Sequence, residues 1–356
     1  MRIAYLIWSD LSREQGIPKK FLRQLKAWAE LGHEPRLFGF TPGPRMWSEL
    51  RGYEGKVLSV RSPWRRMWTA PQLFESVLAW NPDCVYFRFG AYYPGLARLM
   101  GHVPTVAEVN GELRREMAAN GHYAQVFYDL ATRWRMRRGL QGAIFVAEDI
   151  KKRTSLSPHV PRAVLGNTID LANYPQLDAP KNERPRLVFL GNLTRKRHGY
   201  PEIIQLAHSN PDWHFDLIGE LPTDPSAAVP PANVLMHGQL SQDQYEPLLQ
   251  QADVALGSLS IHRIRRTNNS ALKTLEYLAY GIPTVLGYQE TDLPSHSPYL
   301  LCLPSEPGNV MRYLSRIRQF VHQAWGKRVP RHFIAHLDTT EKERRRIDLI
   351  KEWSQL

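Results

Sequence analysis

Cysteine is nearly missing from this 356-residue chain, with Cys84 and Cys302 far apart in sequence. So small a supply excludes a disulfide scaffold and a thiolate metal cluster, and both residues read as reduced core cysteines of a cytoplasmic protein. No apolar run approaches the ~18 residues of a membrane span. The opening run Ile3–Trp8 is too short for the apolar region of a signal peptide and reads as a first buried strand. Low-complexity tracts and short internal repeats are lacking, as are zinc-ligand spacing, an RNP-like run and a KH loop. Acidic residues are scarce in one half only. Residues 1–165 hold 25 Lys and Arg against 14 Asp and Glu, whereas residues 166–356 hold 21 against 20. Nearly all of the net charge of +12 therefore sits in the first half. Such a bias fits an anionic partner or, more plainly, a solvated basic surface.

What is present fits a soluble protein of two domains: 43% hydrophobic and 22% charged residues over a length beyond one ordinary core. The first half alternates short apolar runs with helical stripes. Ile3–Trp8, Glu34–Phe40, Cys84–Phe87, Thr105–Val109 and Ala143–Ala147 read as strands. Phe21, Leu22, Leu25, Trp28, Ala29 and Leu31 give the helix at about Pro18 to Leu31 its apolar face. The pattern breaks at 166–184, a linker, and restarts with strands at Arg186–Gly191, Trp213–Gly219, Asn233–Gly238 and Val254–Leu259. Helices at Tyr200–Asn210 and Gln242–Ala252 lie between them, and the Pro-rich 221–231 is a surface loop. This predicts an α/β fold of two Rossmann-like lobes, 1–165 and 185–330, with parallel sheets that place ligands at the C-terminal strand ends. Residues 331–356 form the end of the chain, and Asp338–Leu356 reads as an amphipathic helix.

The most informative stretch is Ser270–Val285. Leu272, Leu275 and Ala279 recur at helical spacing, Gly281 suits a C-terminal cap, and Pro283 follows it. Asn268, Asn269 and Ser270 are N-cap candidates. The unpaired amides of the first turn, at Ser270, Ala271 and Leu272, together with the helix dipole favour an anion. Glu276 lies far enough along to reach past a phosphate to a ribose. That geometry suits a nucleoside diphosphate, and a plain capped helix before a core strand is the alternative.

The segment resembles the donor-site helix of retaining glycosyltransferases of the GT4 type, which have the GT-B fold. Their pattern sets two glutamates eight positions apart, then a small-residue turn and G-x-P-x-V. Glu276 matches the second glutamate, whereas Asn268 stands at the first. Asn268 can hydrogen-bond a sugar hydroxyl but brings no negative charge to the transition state. The resemblance covers most of the chain and is most specific over 186–290. There Asp253–Leu259, Asn233–Gly238, Phe215–Glu220 and Asn167–Asp170 are similar to family segments in order and spacing.

The resemblance implies an interlobe cleft, a C-terminal helix crossing back to the first lobe, and further site residues. By position Gly191–Gly199 is the family's phosphate loop. Asn192 and His198 stand where the family has arginine and lysine, and Arg195, Lys196 and Arg197 supply charge nearby, with Lys273 a further cation. His237 and Gly238 would meet the base, and Glu220 and His262 line the donor side. Gly16, before the first helix, would let backbone approach the phosphates. Glu108 and Asn110 end a strand where the family contacts the transferred sugar, and Asn110-Gly111 is equally a local turn. For each of these the plain alternative is a solvated loop or strand-end residue.

The expected function is transfer of a sugar, with retention and without a metal, from a nucleotide sugar to a glycan or lipid-linked acceptor held on the basic lobe. Cell-surface polysaccharide or glycolipid synthesis is the setting the resemblance implies. No cofactor is expected beyond the nucleotide-sugar co-substrate, and no nucleic acid. Arg61–Trp68 and Arg133–Arg138 mix tryptophan with arginine, which suits an anionic membrane surface at the inner face of the membrane or a solvated face with inward aromatics. Asn268, Asn192 and His198 leave open a catalytically weak relative that binds nucleotide sugar or glycan as a partner subunit.

Overall fold

In a computed structural model the chain forms two units, one of Met1–Leu165 with Thr339–Leu356 and one of Gly166–Asp338. The structure describes all residues except 13–15, 44, 45, 120, 138 and 223–227. Gln15, Arg138 and the middle of the 221–231 loop therefore lie outside the described residues.

The first unit is a parallel sheet of seven strands: β1 (Arg2–Trp8), β2 (Glu34–Thr41), β3 (Glu54–Ser59), β4 (Cys84–Arg88), β5 (Thr105–Val109), β6 (Gly142–Phe145) and β7 (Arg162–Val164). Their order is β3-β2-β1-β4-β5-β6-β7. The crossovers run through α1 (Gly16–Glu30), α2 (Pro63–Trp80), α3 (Leu96–His102), α4 (Leu113–Ala119) with α5 (Tyr123–Arg137), and α6 (Glu148–Arg153). Side-chain alternation along β1 serves both sheet faces. Ile3, Tyr5 and Ile7 pack with Phe21, Leu25 and Trp28 of α1, whereas Ala4 and Leu6 pack in the cluster holding Leu73, Phe74 and Val77 of α2. Complete burial of Phe21 and Leu25 contributes about 2 kcal/mol each. Ser62 caps α2 by accepting from Arg65 N–H, Pro63 opens it, and Asn81 ends it at φ 53°. The C-terminal helix Thr339–Ser354 joins this unit, with Ile347 and Ile350 in the same cluster as α1.

The second unit repeats the plan. Its main sheet holds β8 (Arg186–Leu190), β9 (His214–Ile218), β10 (Val234–Gly238) and β11 (Val254–Leu256), and a two-residue β12 (Asn268–Asn269) lies apart from it. After them come β13 (Thr284–Leu286), β14 (Gln289–Glu290), β15 (His296–Ser297) and β16 (Leu300–Cys302). The order is β10-β9-β8-β11-β13-β16-β15, parallel except for β15, while β12 pairs with β14. Helices α7 (Tyr200–His208), α8 (Gln242–Gln251) and α9 (Leu272–Ala279) supply crossovers. Both sheets share the 3-2-1-4-5-6 winding whose ligand crevice lies at the C-terminal strand ends.

Residues 166–184 are packed into the second unit and are not a free linker. Asn167 N–H donates to Ser270 Oγ at 2.9 Å, and the Tyr174 carbonyl accepts from Arg331 at 2.6 Å. Cys84 is a buried thiol, but Cys302 is only half-buried. Among the described residues no helix is long and apolar enough to cross a membrane.

Candidate functional site

The C-terminal ends of β8, β9 and β10 and the start of α9 converge in the second unit. Gly191 N–H donates to the Ile218 carbonyl at 2.8 Å, and Gly219 N–H to the Gly238 carbonyl at 2.7 Å. Gly219 has φ +129°, and a Cβ there would lie 2.0 Å from the Gly191 carbonyl oxygen. Only glycine lets the two strand ends pass so closely. Leu190 N–H donates to the Tyr277 hydroxyl at 2.6 Å, which fixes α9 against the end of β8.

Lys273 is the feature that stands out here. Its stem is partly exposed, but its Nζ is buried and has no hydrogen-bond partner among the described residues. The ammonium rests 4.0 Å from the Phe189 ring centroid, and a Cβ at Gly191 would lie 2.9 Å from it. Burial, and then the charge of Arg197, hold its pKa well below 10.5. An unpaired buried cation is costly to keep unless a ligand anion meets it. The amides of Leu272 and Lys273 belong to the first turn of α9, where helix geometry supplies no partner. Cation and amides together form a cradle for negative charge.

His198 lies beside the same glycine, its Cε1 3.6 Å from where a Gly191 Cβ would sit. Its Nδ1 lies 2.5 Å from the Asn192 carbonyl, so Nδ1 carries the proton and donates it. Burial, and then Lys273, push its pKa down to about 3. His198 is thus neutral near pH 7, and Nε2 is an acceptor suited to a hydroxyl rather than a phosphate. Arg195, Lys196 and Arg197 are exposed on the adjoining turn. The side-chain oxygen of Asn192 accepts from Thr194 N–H at 2.8 Å, and its amide donates to Glu220.

Several expected residues are otherwise occupied. Ala271 caps α9, in place of Asn268, Asn269 or Ser270. Asn268 and Asn269 are taken into the pairing with β14. The Ser270 hydroxyl accepts from Asn167 and bonds Glu290, so no capacity is left for a phosphate. His237 turns its Nε2 to buried Asp216 at 2.7 Å, beside Arg186 at 2.6 Å, so its ring serves the protein interior. Glu276 is half-buried and accepts from the Tyr245 hydroxyl at 2.7 Å. His262 sits half-buried in the turn Ile261–Ile264, and burial lowers its pKa.

One residue escaped the sequence reading. Glu290 is buried, and its carboxyl faces Ala271 N–H at 3.5 Å, Thr291 N–H at 3.3 Å and the Tyr288 hydroxyl at 3.4 Å. Burial raises its pKa to about 8, although hydrogen bonds from Ser270, Ala271 and Thr291 oppose the shift. It takes up the cap amide of α9. No local signal marks it, because the pairing of β12 with β14 is what brings it there.

Gly16, Glu108 and Asn110 belong to the first unit. Gly16 opens α1. Glu108 does not present its carboxylate to a ligand. It is fully buried, paired with Lys20 at 2.9 Å and Arg346 at 3.5 Å, and bonded by Asn110 at 2.9 Å. Burial would raise its pKa, but Lys20, Arg346 and Arg88 outweigh that and hold it far below the usual carboxylate range. Arg346 goes on to Tyr86 at 2.6 Å and Glu343 at 2.9 Å, so Glu108 anchors the C-terminal helix. Asn110 alone of the pair lines a cavity, of about 350 Å³, with Arg88, Phe89 and Tyr128. Among the described residues no group of three or more His, Cys, Asp or Glu is arranged to hold a metal ion.

No protein-family model matches the chain, and comparison with curated proteins finds no match in sequence. Solved structures do match over its whole length. A glycosyltransferase from Rickettsia africae superposes with a TM-score of 0.67 at 11% identity, over 99% of this chain and 98% of its own. The lipopolysaccharide outer core galactosyltransferase WaaB, in its apo form, gives 0.66 at 12% identity over 100% of both chains. HepE from Anabaena, in complex with UDP-glucose, gives 0.62 at 11% identity over 99% of this chain and 100% of its own. At such identities the likeness is one of fold. The two Rossmann-like units of this chain have the GT-B fold of these glycosyltransferases.

Proposed function

We propose that this protein is a glycosyltransferase that takes a sugar from a nucleotide donor bound at the second unit. The observation that carries the reading is the buried Lys273 ammonium, left without a hydrogen-bond partner among the described residues at the C-terminal end of β8. A departing diphosphate supplies the missing charge, and the amides of Leu272 and Lys273 share it. Exposed Arg195, Lys196 and Arg197 draw the donor in. Glu276 holds the ribose, and the neutral His198 accepts from a sugar hydroxyl. UDP-glucose in HepE, a protein of the same fold, supports a nucleotide-sugar donor. The GT4 resemblance of the α9 segment supports retention of configuration without a metal.

In this reading the acceptor, a glycan or a lipid-linked sugar, is held by the first unit, where the basic residues and the Asn110 cavity lie. Synthesis of a cell-surface polysaccharide or glycolipid at the cytoplasmic face of the membrane fits such an acceptor. Titration of the full chain with UDP, GDP, ADP and CMP sugars, with hydrolysis followed in parallel, tests the donor half. One base should bind, and Glu276→Ala should weaken it at least ~10-fold, or ~1.4 kcal/mol. Unchanged affinity removes Glu276 from the site. A second reading, a donor-binding partner subunit without turnover, draws on uncharged Asn268 held in the β12 pairing. Binding without hydrolysis or transfer would select it.

A further inference from the structure

Two helices of the first unit expose what soluble helices bury. On α5, Tyr123, Phe127, Leu130 and Trp134 form one stripe at helical spacing, all of them exposed. The opposite face of the same helix is already packed, through Asp129, Thr132, Arg133 and Met136. The stripe therefore lies on the side of the helix turned away from the core. On α2, Trp64 and Trp68 stand one turn apart. Trp68 is 84% exposed and Phe127 71%. Single exposed aromatics are ordinary, but a stripe and a pair flanking one cavity are not.

On α2 and α5 themselves the charge beside these aromatics has one sign. The only acid on α5 is Asp129, fully buried and paired with Arg133 at 2.6 Å and Arg114 at 2.8 Å. Its exposed side therefore carries Arg135 and no carboxylate. The first turns of α2 carry Arg65 and Arg66, while its one acid, Glu75, pairs with Arg98 further along. The cavity of about 350 Å³ opens between the two helices, with Trp64 and Met67 from α2 and Gln125 and Tyr128 from α5 in its wall.

We infer that α2 and α5 dock this unit on an anionic lipid bilayer, with the cavity mouth at the bilayer surface. Indole and phenol rings settle at the headgroup level, and arginines beside them meet anionic lipid. Helices lying in the interface plane have this pattern of apolar stripe and flanking cations. A second copy of the chain fits less well, because a two-fold contact would set this arginine-bearing patch against the same patch. The docking stands apart from the proposed transferase reading. Where that reading holds, the docking names the acceptor class, because a molecule entering the cavity then comes from the membrane.

Cosedimentation of the full chain with vesicles tests it. Vesicles of equal parts phosphatidylcholine and phosphatidylglycerol should bind the protein, and phosphatidylcholine alone should bind it weakly. Trp68→Glu with Phe127→Glu should lower binding to mixed vesicles at least ~10-fold. Neither residue lines the cavity, so the melting temperature and nucleotide affinity should stay at the wild-type values. Amide exchange should slow over 63–70 and 123–137 when mixed vesicles are added. Absence of wild-type binding, equal binding by the variant, or protection elsewhere overturns the inference. So does a dimer in sedimentation velocity that the same substitutions dissolve. Loss of nucleotide binding with vesicle binding intact would count against the transferase reading alone.

Discussion

Replacing Lys273 by Met should move stability and binding in opposite directions. The ammonium is buried without a hydrogen-bond partner among the described residues and rests on the Phe189 ring. Keeping a polar group so placed costs a protein about 1–3 kcal/mol, and contact with the ring offsets about 0.5–2 kcal/mol. Methionine keeps the unbranched stem and removes the charge, so the free variant should melt a few degrees higher. The same change takes a cation from the donor cradle. A hydrogen bond to a charged group contributes about 1.5–3 kcal/mol, which corresponds to a ~10- to 150-fold weaker dissociation constant. Calorimetric melting and isothermal titration with nucleoside diphosphates read the two effects. A pH series adds a third readout. The folded pKa lies below 10.5, so between the two values the native state holds fewer protons than the unfolded chain. Wild-type stability should therefore rise with pH across that window, and this contribution should vanish in the variant. A variant that melts lower and binds nucleotide as the wild type does would refute a cation held in wait at this position.

Glu290→Gln should flatten a different pH dependence. The Glu290 carboxyl is raised from 4.5 to about 8 in the folded state, so its contribution is greatest below 4.5 and declines as pH climbs through 8. Variant and wild type should melt together near pH ~4, and the variant should lead near pH ~9. Equal melting at both values would place Glu290 in contact with water. Arg346→Met should destabilise the chain by about 3–5 kcal/mol in urea titration, because it strips a cation from two buried carboxylates, Glu108 and Glu343. Arg344→Ala, on the exposed side of the same helix, should stay within ~0.5 kcal/mol. Similar losses for the two would deny Glu108 its anchoring role.

The strands that build the two sheets were legible because buried parallel strands are continuous apolar runs. Leu187–Leu190 and Ile3–Ile7 are such runs, and β8 and β1 differ from the sequence reading by a residue at most. Short strands towards the far side of each sheet were not legible. β7 and β16 are three residues long and carry no alternation of their own. Of the candidate site, the helix α9 and the glycine that ends β8 were legible, because they follow from local spacing and turn chemistry, whereas Lys273 came in with the family resemblance. The site was illegible where a distant partner decides. Asn167 and Glu290 take the Ser270 hydroxyl, Asp216 takes the His237 ring, and the C-terminal helix brings Arg346 to Glu108. A strand pattern shows that Glu108 ends β5 but not which cation meets it.

The central claim is that the cradle of Lys273 and the first amides of α9 receives a diphosphate. A crystal structure of the protein grown with the nucleoside diphosphate it binds best tests this most directly. Phosphate oxygens should lie within hydrogen-bond distance of Lys273 Nζ and of the Leu272 and Lys273 amides, with Glu276 reaching the ribose. A nucleotide bound elsewhere, with the Lys273 ammonium still on the Phe189 ring and unpaired, would contradict it.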